Sequence, residues 1–594
     1  MRGRDAGFQN YNAYRKLCGM KPAKKFEDFY DTIPKDVSFS YLILCTILVQ
    51  PCRKDENRRV DGTCTNPHHP SRGASLTPFP RLLPAQYGPG IYPSGSHWII
   101  LNYNIFLFGD CCLNNQVPNE ANPVCIPITV PQDDPFLRRT GIRCLNLTRV
   151  ETFQDYGCIP HSLPAERYSR VTPLLDLSVV YGNTDERNKA IRANQGGLLA
   201  FRMEGDREVP DGNSIFCINS QPPETSCYNY GDSLQGNLLQ GNYITAMWFF
   251  REHNRLARKL AELNPCWDDE KLFETARKIN IAQWQYIFYY ELIPLIIGRK
   301  NALSDGIIYE TNGYVNDFNP SVEPGVLREY VVGSRWFHVM QPGTSDLYRK
   351  GKYVGSRTVV DDELRSGILA INNTEADLTQ GCLYQPSDRA DYIVDPDMSN
   401  RVLGEFQAVS DISATDMMRG RDAGFQNYNA YKKLCGLKTA KKFEDFYDTI
   451  PKDQVTKLKR IYEDVEDVEL MVAIYTEKLI PGTTVGPTLY CIIAQNLILW
   501  RRSDKFFFEH GDFPTALSLD QLNEVRKTSM ARVLCDNGDS VKHVQPQAFL
   551  RKTPWNDFVP CSHIPGMDLS AWMDDSCSRG NKDELSHNTN YEFN

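Results

Sequence analysis

Two neighbouring stretches, residues 243–264 and 269–297, carry apolar side chains at intervals of three and four: Met247, Phe250, Leu256 and Leu260, then Phe273, Ala276 and Ile279. That spacing gathers apolar groups on one face of a 3.6-residue helix but scatters them over both faces of a strand. It predicts two long amphipathic helices, each needing an apolar partner surface. Residues 454–475, with Val455, Leu458, Ile461, Tyr462 and Val465, predict a similar helix. Strand alternation is scarce and brief, and the Pro/Gly-rich stretches 78–95 and 318–325 read as loops. The expected fold is mainly α with few short strands. At 594 residues and 41% apolar content, the chain can fill several ordinary domains or one unusually large helical one.

The formal charge of −8 is spread thinly, without a basic stripe, which argues against nucleic acid as a partner. Eighteen cysteines, many at short spacings, fit an oxidising compartment and a disulfide-stabilised, secreted protein. The tripeptides Asn146-Leu-Thr and Asn372-Asn-Thr, acceptors for N-glycosylation, agree. The apolar run from Phe39 to Val49 is shorter than the roughly 18 to 20 residues a membrane-spanning helix needs, so no stable membrane span is expected. It resembles a signal-peptide core, although it starts far into the chain. Lys582-Asp-Glu-Leu585 is internal and cannot act as a terminal retention signal.

Residues 1–36 recur at 418–453 with only Arg15/Lys432, Met20/Leu437 and Pro22/Thr439 changed. Two copies do not make a solenoid. The similarity stops at Val37, where the signal-like segment 37–51 begins. Residues 1–36 therefore read as a duplicated fragment joined by fusion or mistaken gene prediction, which leaves Cys18 without its natural partner.

The segment Tyr330-Val-Val-Gly-Ser-Arg335-Trp-Phe-His338-Val-Met-Gln341 sets an arginine one helical turn before a histidine. A lone histidine is usually structural. Here Asp416-Met-Met-Arg419-Gly-Arg421-Asp422 follows, and together the two segments resemble the proximal haem segments of the animal haem peroxidases, the family of myeloperoxidase, thyroid peroxidase and peroxidasin. The resemblance runs from about residue 52 to 573 and includes Asp61-Gly-Thr-Cys64-Thr-Asn, Val130-Pro-Gln-Asp-Asp-Pro-Phe136, Phe250-Arg-Glu-His-Asn-Arg-Leu256, Val485-Gly-Pro-Thr-Leu-Tyr-Cys-Ile-Ile493 and Arg532-Val-Leu-Cys-Asp-Asn537. It implies a large single peroxidase domain over residues 52–575, followed by a polar tail at 576–594, and makes residues 1–36 a copy of the family's C-terminal region.

By the same resemblance His338 is the axial ligand of a haem iron, with its second ring nitrogen donating to Asp416, where vertebrate members have asparagine. A carboxylate there gives the imidazole anionic character and favours ferric iron. Arg335 and Arg419 match residues that pair with haem propionates, against the simpler reading of a buried salt-bridge cluster. Thr172-Pro-Leu174-Leu-Asp176-Leu-Ser178 resembles the family's calcium loop, offering Thr172, the Leu174 carbonyl, Asp176 and Ser178, with a further carboxylate from Asp110. By pattern alone that segment is an ordinary strand and turn. The resemblance also implies disulfides Cys52–Cys64, Cys217–Cys227, Cys435–Cys491 and Cys535–Cys561, and two more among Cys111, Cys112, Cys125 and Cys144 in an order it leaves open.

The distal pattern departs. Where the family has approximately Gln-Trp-Gly-Gln-Phe-Leu-Asp-His-Asp, this chain has Asn102-Tyr-Asn-Ile-Phe-Leu-Phe108-Gly109-Asp110. The catalytic histidine position is Gly109, and the ester-forming aspartate position is Phe108. The family's Arg-x-x-Glu falls within Gly231-Asp-Ser-Leu-Gln-Gly-Asn-Leu-Leu-Gln240, which has neither residue. Arg251 and His253 belong to the later helix motif and do not replace them. Splitting a peroxide requires moving a proton between its oxygens; acid–base help contributes roughly 10² to 10⁴ in rate, and one charge-stabilising donor about 10² to 10³.

The expected function is a secreted haem protein of the peroxidase family with weak or no peroxidase activity, binding haem b without ester links, and calcium. One alternative is a working peroxidase of hydrogen peroxide and small electron donors, with its distal segment misassembled in this sequence. Another is a haem-free calcium-binding scaffold or adhesion domain. Oligomeric state is not legible.

Overall fold

The computed structural model describes residues 49–87, 111–118, 125–150, 152, 166–214, 217, 227–402 and 410–577. The duplicated segment 1–36, most of the signal-like run, the tail beyond 577, and Phe108, Gly109 and Asp110 lie outside them.

The predicted helix pair forms. Helix α1 spans Gln240–Leu263 and buries Met247, Phe250, Leu256 and Leu260. Asp268 then caps α2, Asp269–Tyr286, by accepting from the Lys271 amide, while Asp269 and Glu270 favour its positive end. The apolar stripe of α2 continues, but at Ile287–Leu292 the winding widens to a π-helical turn before Ile293–Ile297. Pro294 lacks an amide hydrogen and cannot keep the regular ladder there.

The third predicted helix, over 454–475, is interrupted. Helix α4, Lys452–Ile461, ends as Tyr462 turns extended. Asp464 and Asp467 then form a reciprocal cap on a short 3₁₀ turn, and a separate helix, α5, runs over Leu470–Thr476. Apolar periodicity spans the break because both pieces face one small core containing Val455, Leu458, Val465 and Ala473. The acidic caps decide the interruption.

A larger core joins α1 and α2 to helix α6, Pro487–Ser503, through Leu256, Leu260, Ala276, Ile279, Leu489, Ile493 and Leu497. Each fully buried leucine there contributes roughly 1.5–3 kcal/mol. A second core places Met247, Phe249 and Phe250 against Phe273, Val533 and Leu534. The described strands make five two-stranded antiparallel sheets. The longest is the hairpin of β1, Thr344–Arg349, and β2, Lys352–Thr358, turned by Lys350 and Gly351 at positive φ.

Seven disulfides tie the described chain. Cys52–Cys64, Cys217–Cys227, Cys435–Cys491 and Cys535–Cys561 pair as the resemblance implies. The open order is Cys111–Cys125 and Cys112–Cys144. Cys266–Cys577 has no counterpart in the sequence reading; it ties the α1–α2 connection to a residue two past the 575 boundary. Cys382 is a free thiol. No helix among the described residues is long and apolar enough to cross a membrane.

Candidate functional site

Helix α3, comprising Arg328–Gly333 and preceding α4 in the chain, packs on α6 and runs directly into a 3₁₀ turn, Ser334–Met340. In that turn Trp336 and Val339 are buried in the main core, whereas Arg335 and His338 keep 34% and 25% side-chain exposure. The tighter winding thus anchors the turn by its apolar side chains and leaves Arg335 and His338 partly exposed.

Beneath them lies Asp416, fully buried on the helix Ile412–Asp422. One carboxylate oxygen accepts from Arg335 Nη1 at 3.0 Å; the other accepts from His338 Nδ1 at 2.7 Å and from the Tyr475 hydroxyl at 2.9 Å. Against a carboxylate the ring nitrogen is the donor, which fixes the imidazole and leaves Nε2 with no hydrogen-bond partner among the described residues. Burial and the Asp416 charge hold the Tyr475 hydroxyl well above its usual range, so it stays a donor. Tyr475, on α5, was absent from the sequence reading because nothing local ties it to residues far away in the chain.

Arg419, one turn beyond Asp416, donates to the Thr148 carbonyl at 2.5 Å, and no carboxylate of the described residues pairs with it. Burial pushes its guanidinium down to about 10. Neighbouring Asp422 is occupied by Arg167 at 2.5 Å and the Val150 amide at 3.0 Å, which ties these two residues to this helix. The structure therefore brings together His338, Asp416, Arg335 and Arg419. This donor set fits a haem: a fixed imidazole with a free nitrogen, and a buried arginine short of a counter-charge that a propionate would supply.

In the second predicted site, Thr172 Oγ1 and the Ser178 amide donate to the same oxygen of Asp176, at 2.9 and 3.1 Å. Instead of a strand and turn, Leu177 adopts φ 55° and a short helix follows over Ser178–Tyr181. Burial raises the Asp176 carboxyl, and the Leu174 carbonyl accepts from the Asp176 amide at 3.1 Å. A buried carboxylate among hydroxyl and carbonyl oxygens fits a hard cation such as calcium. Asp110 lies outside the described residues. The metal-type grouping found among the described residues, Cys52, Glu56 and Cys64, contains two disulfide-bonded cysteines and so cannot ligate through them.

The segment where the family's Arg-x-x-Glu falls forms the 3₁₀ turn Gln235–Asn237, leading into α1. It borders a cavity of about 290 Å³ lined by Gln235, Asn242, Thr245, Val179, Phe249 and Trp284 among others, none of them ionisable. His253 is buried elsewhere, bonded to the Tyr181 hydroxyl at 3.0 Å and the Gly197 carbonyl at 2.9 Å; burial drives its pKa down to about 3. Arg251 is tied to Glu375 and Asp539. Both residues hold the core together.

The model of the animal haem peroxidase family matches residues 1–42, 57–98 and 107–549, and the chain belongs to that family. It is 34% identical over 587 residues to the Drosophila melanogaster protein called Peroxidase, covering 90% of this chain and 85% of that one. Chorion peroxidase of the same organism is 29% identical over 579 residues, covering 87% and 70% respectively. Among solved structures, Peroxidase A from Dictyostelium discoideum superposes with a TM-score of 0.65 at 24% identity, over 84% of this chain and all of that one. Oryza sativa fatty acid alpha-dioxygenase gives 0.62 at 16% identity, over 90% and 95%. These structural likenesses show the fold alone.

Proposed function

We propose that this chain is a secreted haem protein whose peroxidase activity is weak or lost. The reading rests on one contrast: Asp416 orients His338, whose Nε2 has no partner among the described residues, while none of the described residues lining the cavity beside residues 231–240 is ionisable. When bound, the haem supplies the redox-active iron at which peroxide would be reduced. His338 holds that iron, and Arg335 and Arg419 hold the propionates. The Asp416 carboxylate draws the Nδ1 proton and strengthens the ligand. Glycine at position 109 can neither take nor return a proton, and Gln235 brings no charge to stabilise a departing hydroxide. Phe108 removes one ester partner, so the group is haem b without that link, retained by ligation, ion pairs and packing. Calcium at Thr172, Leu174, Asp176, Ser178 and Asp110 is the second cofactor. Of the two glycosylation acceptors Asn372 is exposed, whereas Asn146 accepts from the amides of Cys111 and Cys112. The match beginning at residue 1 supports reading residues 1–36 as a copied family fragment.

The test is an absorbance scan of the purified protein followed by a peroxide-dependent donor assay. A haem spectrum with little turnover is expected. Brisk turnover favours a working peroxidase with an unrecognised distal base, and absence of haem favours the calcium-binding scaffold.

A further inference from the structure

Among the described residues the most exposed large apolar side chain is Trp555, at 96%, and the loop around it holds it there. Pro554 and Trp555 are the two central residues of a turn whose ends, Thr553 and Asn556, exchange backbone hydrogen bonds at 3.0 and 3.3 Å. Proline presets the first central position, so the second is carried at the tip. Asn556 is buried and grips the loop from beneath. Its side chain accepts from the Gln547 amide at 3.0 Å and donates to the Gln547, Leu550 and Arg551 carbonyls at 3.1, 3.3 and 3.3 Å. The paired strands His543–Val544 and Val559–Pro560 and the Cys535–Cys561 disulfide close its base. On the same loop Phe549 and Leu550 are exposed as well, each at 39%.

A row of rings extends this apolar surface. Phe558, at the foot of the loop, meets Tyr384 with ring centroids 5.0 Å apart; Tyr384 stacks on Tyr348 at 4.4 Å, and Tyr348 meets Tyr353 at 5.8 Å across the β1–β2 hairpin. Tyr353 and Val354, on β2, are again exposed. Cations border the row. Lys552 lies over the Phe558 ring at 4.8 Å, and Gly351, between exposed Lys350 and Lys352, comes so near Tyr384 that a Cβ there would stand 3.1 Å from its hydroxyl. Residues 540–567 carry Lys542, Arg551 and Lys552 against Asp557, which pairs with Lys552 at 3.1 Å. The hairpin carries Arg349, Lys350, Lys352 and Arg357 against Asp346, with Asp377 and Asp362 taking the two arginines. These segments and their direct partners thus set seven cations against four carboxylates, on a chain whose net charge is −8. A clustered apolar surface rimmed by cations marks an interaction site, whereas a single exposed side chain does not.

We propose that this surface, from Trp555 to Tyr353, docks on an anionic phospholipid bilayer. Trp555, Phe549 and Leu550 enter the headgroup region, where aromatic rings are favoured, while Arg551, Lys552, Lys350 and Lys352 meet the lipid phosphates. Leu550 and Val354 gain from an acyl boundary but not from stacking on a sugar ring, which favours a bilayer over an anionic polysaccharide. The contact is peripheral and reversible, because a few partly inserted side chains fall far short of a spanning helix.

The test mixes the full chain with phosphatidylcholine vesicles containing or lacking phosphatidylserine and measures co-sedimentation at low and high salt. Binding that needs phosphatidylserine and weakens with salt is expected. Trp555→Ala should lower the partition about tenfold and Arg551→Gln about fivefold. Both side chains are exposed, so both variants should keep the parent's denaturant unfolding curve. Ile461→Ala, exposed on α4 beside a different core, should leave the partition unchanged. Equal binding to the two vesicles, binding to neither, or binding that survives Trp555→Ala would overturn the proposal. Retention on an immobilised sulfated polysaccharide in place of the vesicles would do the same, and would assign the face to a glycan.

Discussion

The wall that carries His338 and the wall that carries Gln235 differ in what their side chains can do with charge. Around Asp416, one buried carboxylate receives an imidazole, a guanidinium and a phenol, so every polar group is fixed by another. Beside Gln235, the described residues that bound the cavity are amides, a threonine and aromatic or aliphatic groups, none of which changes charge near neutral pH. The first arrangement fixes an imidazole through a buried carboxylate. The second, among the described residues, offers only neutral groups. The proposed function rests on that contrast: holding a cofactor and using it for proton-coupled bond cleavage are separable demands on one fold.

Gly109→His attacks the poorer side directly. It is expected to raise peroxide-dependent donor oxidation up to about 10²-fold, toward the lower end of what acid–base help contributes, with Gln235→Arg adding up to a further 10² or so. No gain in steady-state turnover from the double variant would show that the deficit is one of shape.

His338→Ala should abolish the haem absorbance while leaving the unfolding transition in place; unchanged haem content would defeat the axial assignment. Asp416→Ala removes the common acceptor and is expected to cost up to about 3 kcal/mol in denaturant unfolding, reduced because Arg335 can turn to water. A cost near zero would mean the network positions groups without stabilising the fold.

His253 offers a control away from both walls. Its folded pKa of about 3 lies below the ordinary value of 6.5, so the folded state binds fewer protons and stability falls as pH drops through 6.5 toward 3. Between pH 7 and 5 this residue alone should account for about 2 kcal/mol. His253→Gln should flatten the unfolding-versus-pH curve by that amount, and an unaltered slope would show that the ring is not buried neutral. The smallest effect concerns the surface: Asn372→Gln should abolish one glycan's mobility shift in secreted protein, while Asn146→Gln should leave it unchanged.

Much of the fold was legible because it follows from local periodicity. The α1 and α2 stripes and the scarcity of strands are written in residues a few positions apart. The interruption at 462–469 was missed because apolar spacing persisted across it while the decisive signal was the acidic pair Asp464 and Asp467. The Arg335, His338, Asp416 and Arg419 set was readable only through resemblance; spacing alone could not say that two distant segments meet.

The amino-acid sequence by itself determined the helical class and the cysteine supply, and only its resemblance to the family singled out His338 as the iron-binding candidate. Tertiary structure alone decided that Tyr475 joins Asp416, that Cys266 reaches Cys577 and that Cys111 takes Cys125. The reason is range. Periodicity and capping act over one or two helical turns, whereas these contacts join elements whose relative placement is set by the packing of the whole core.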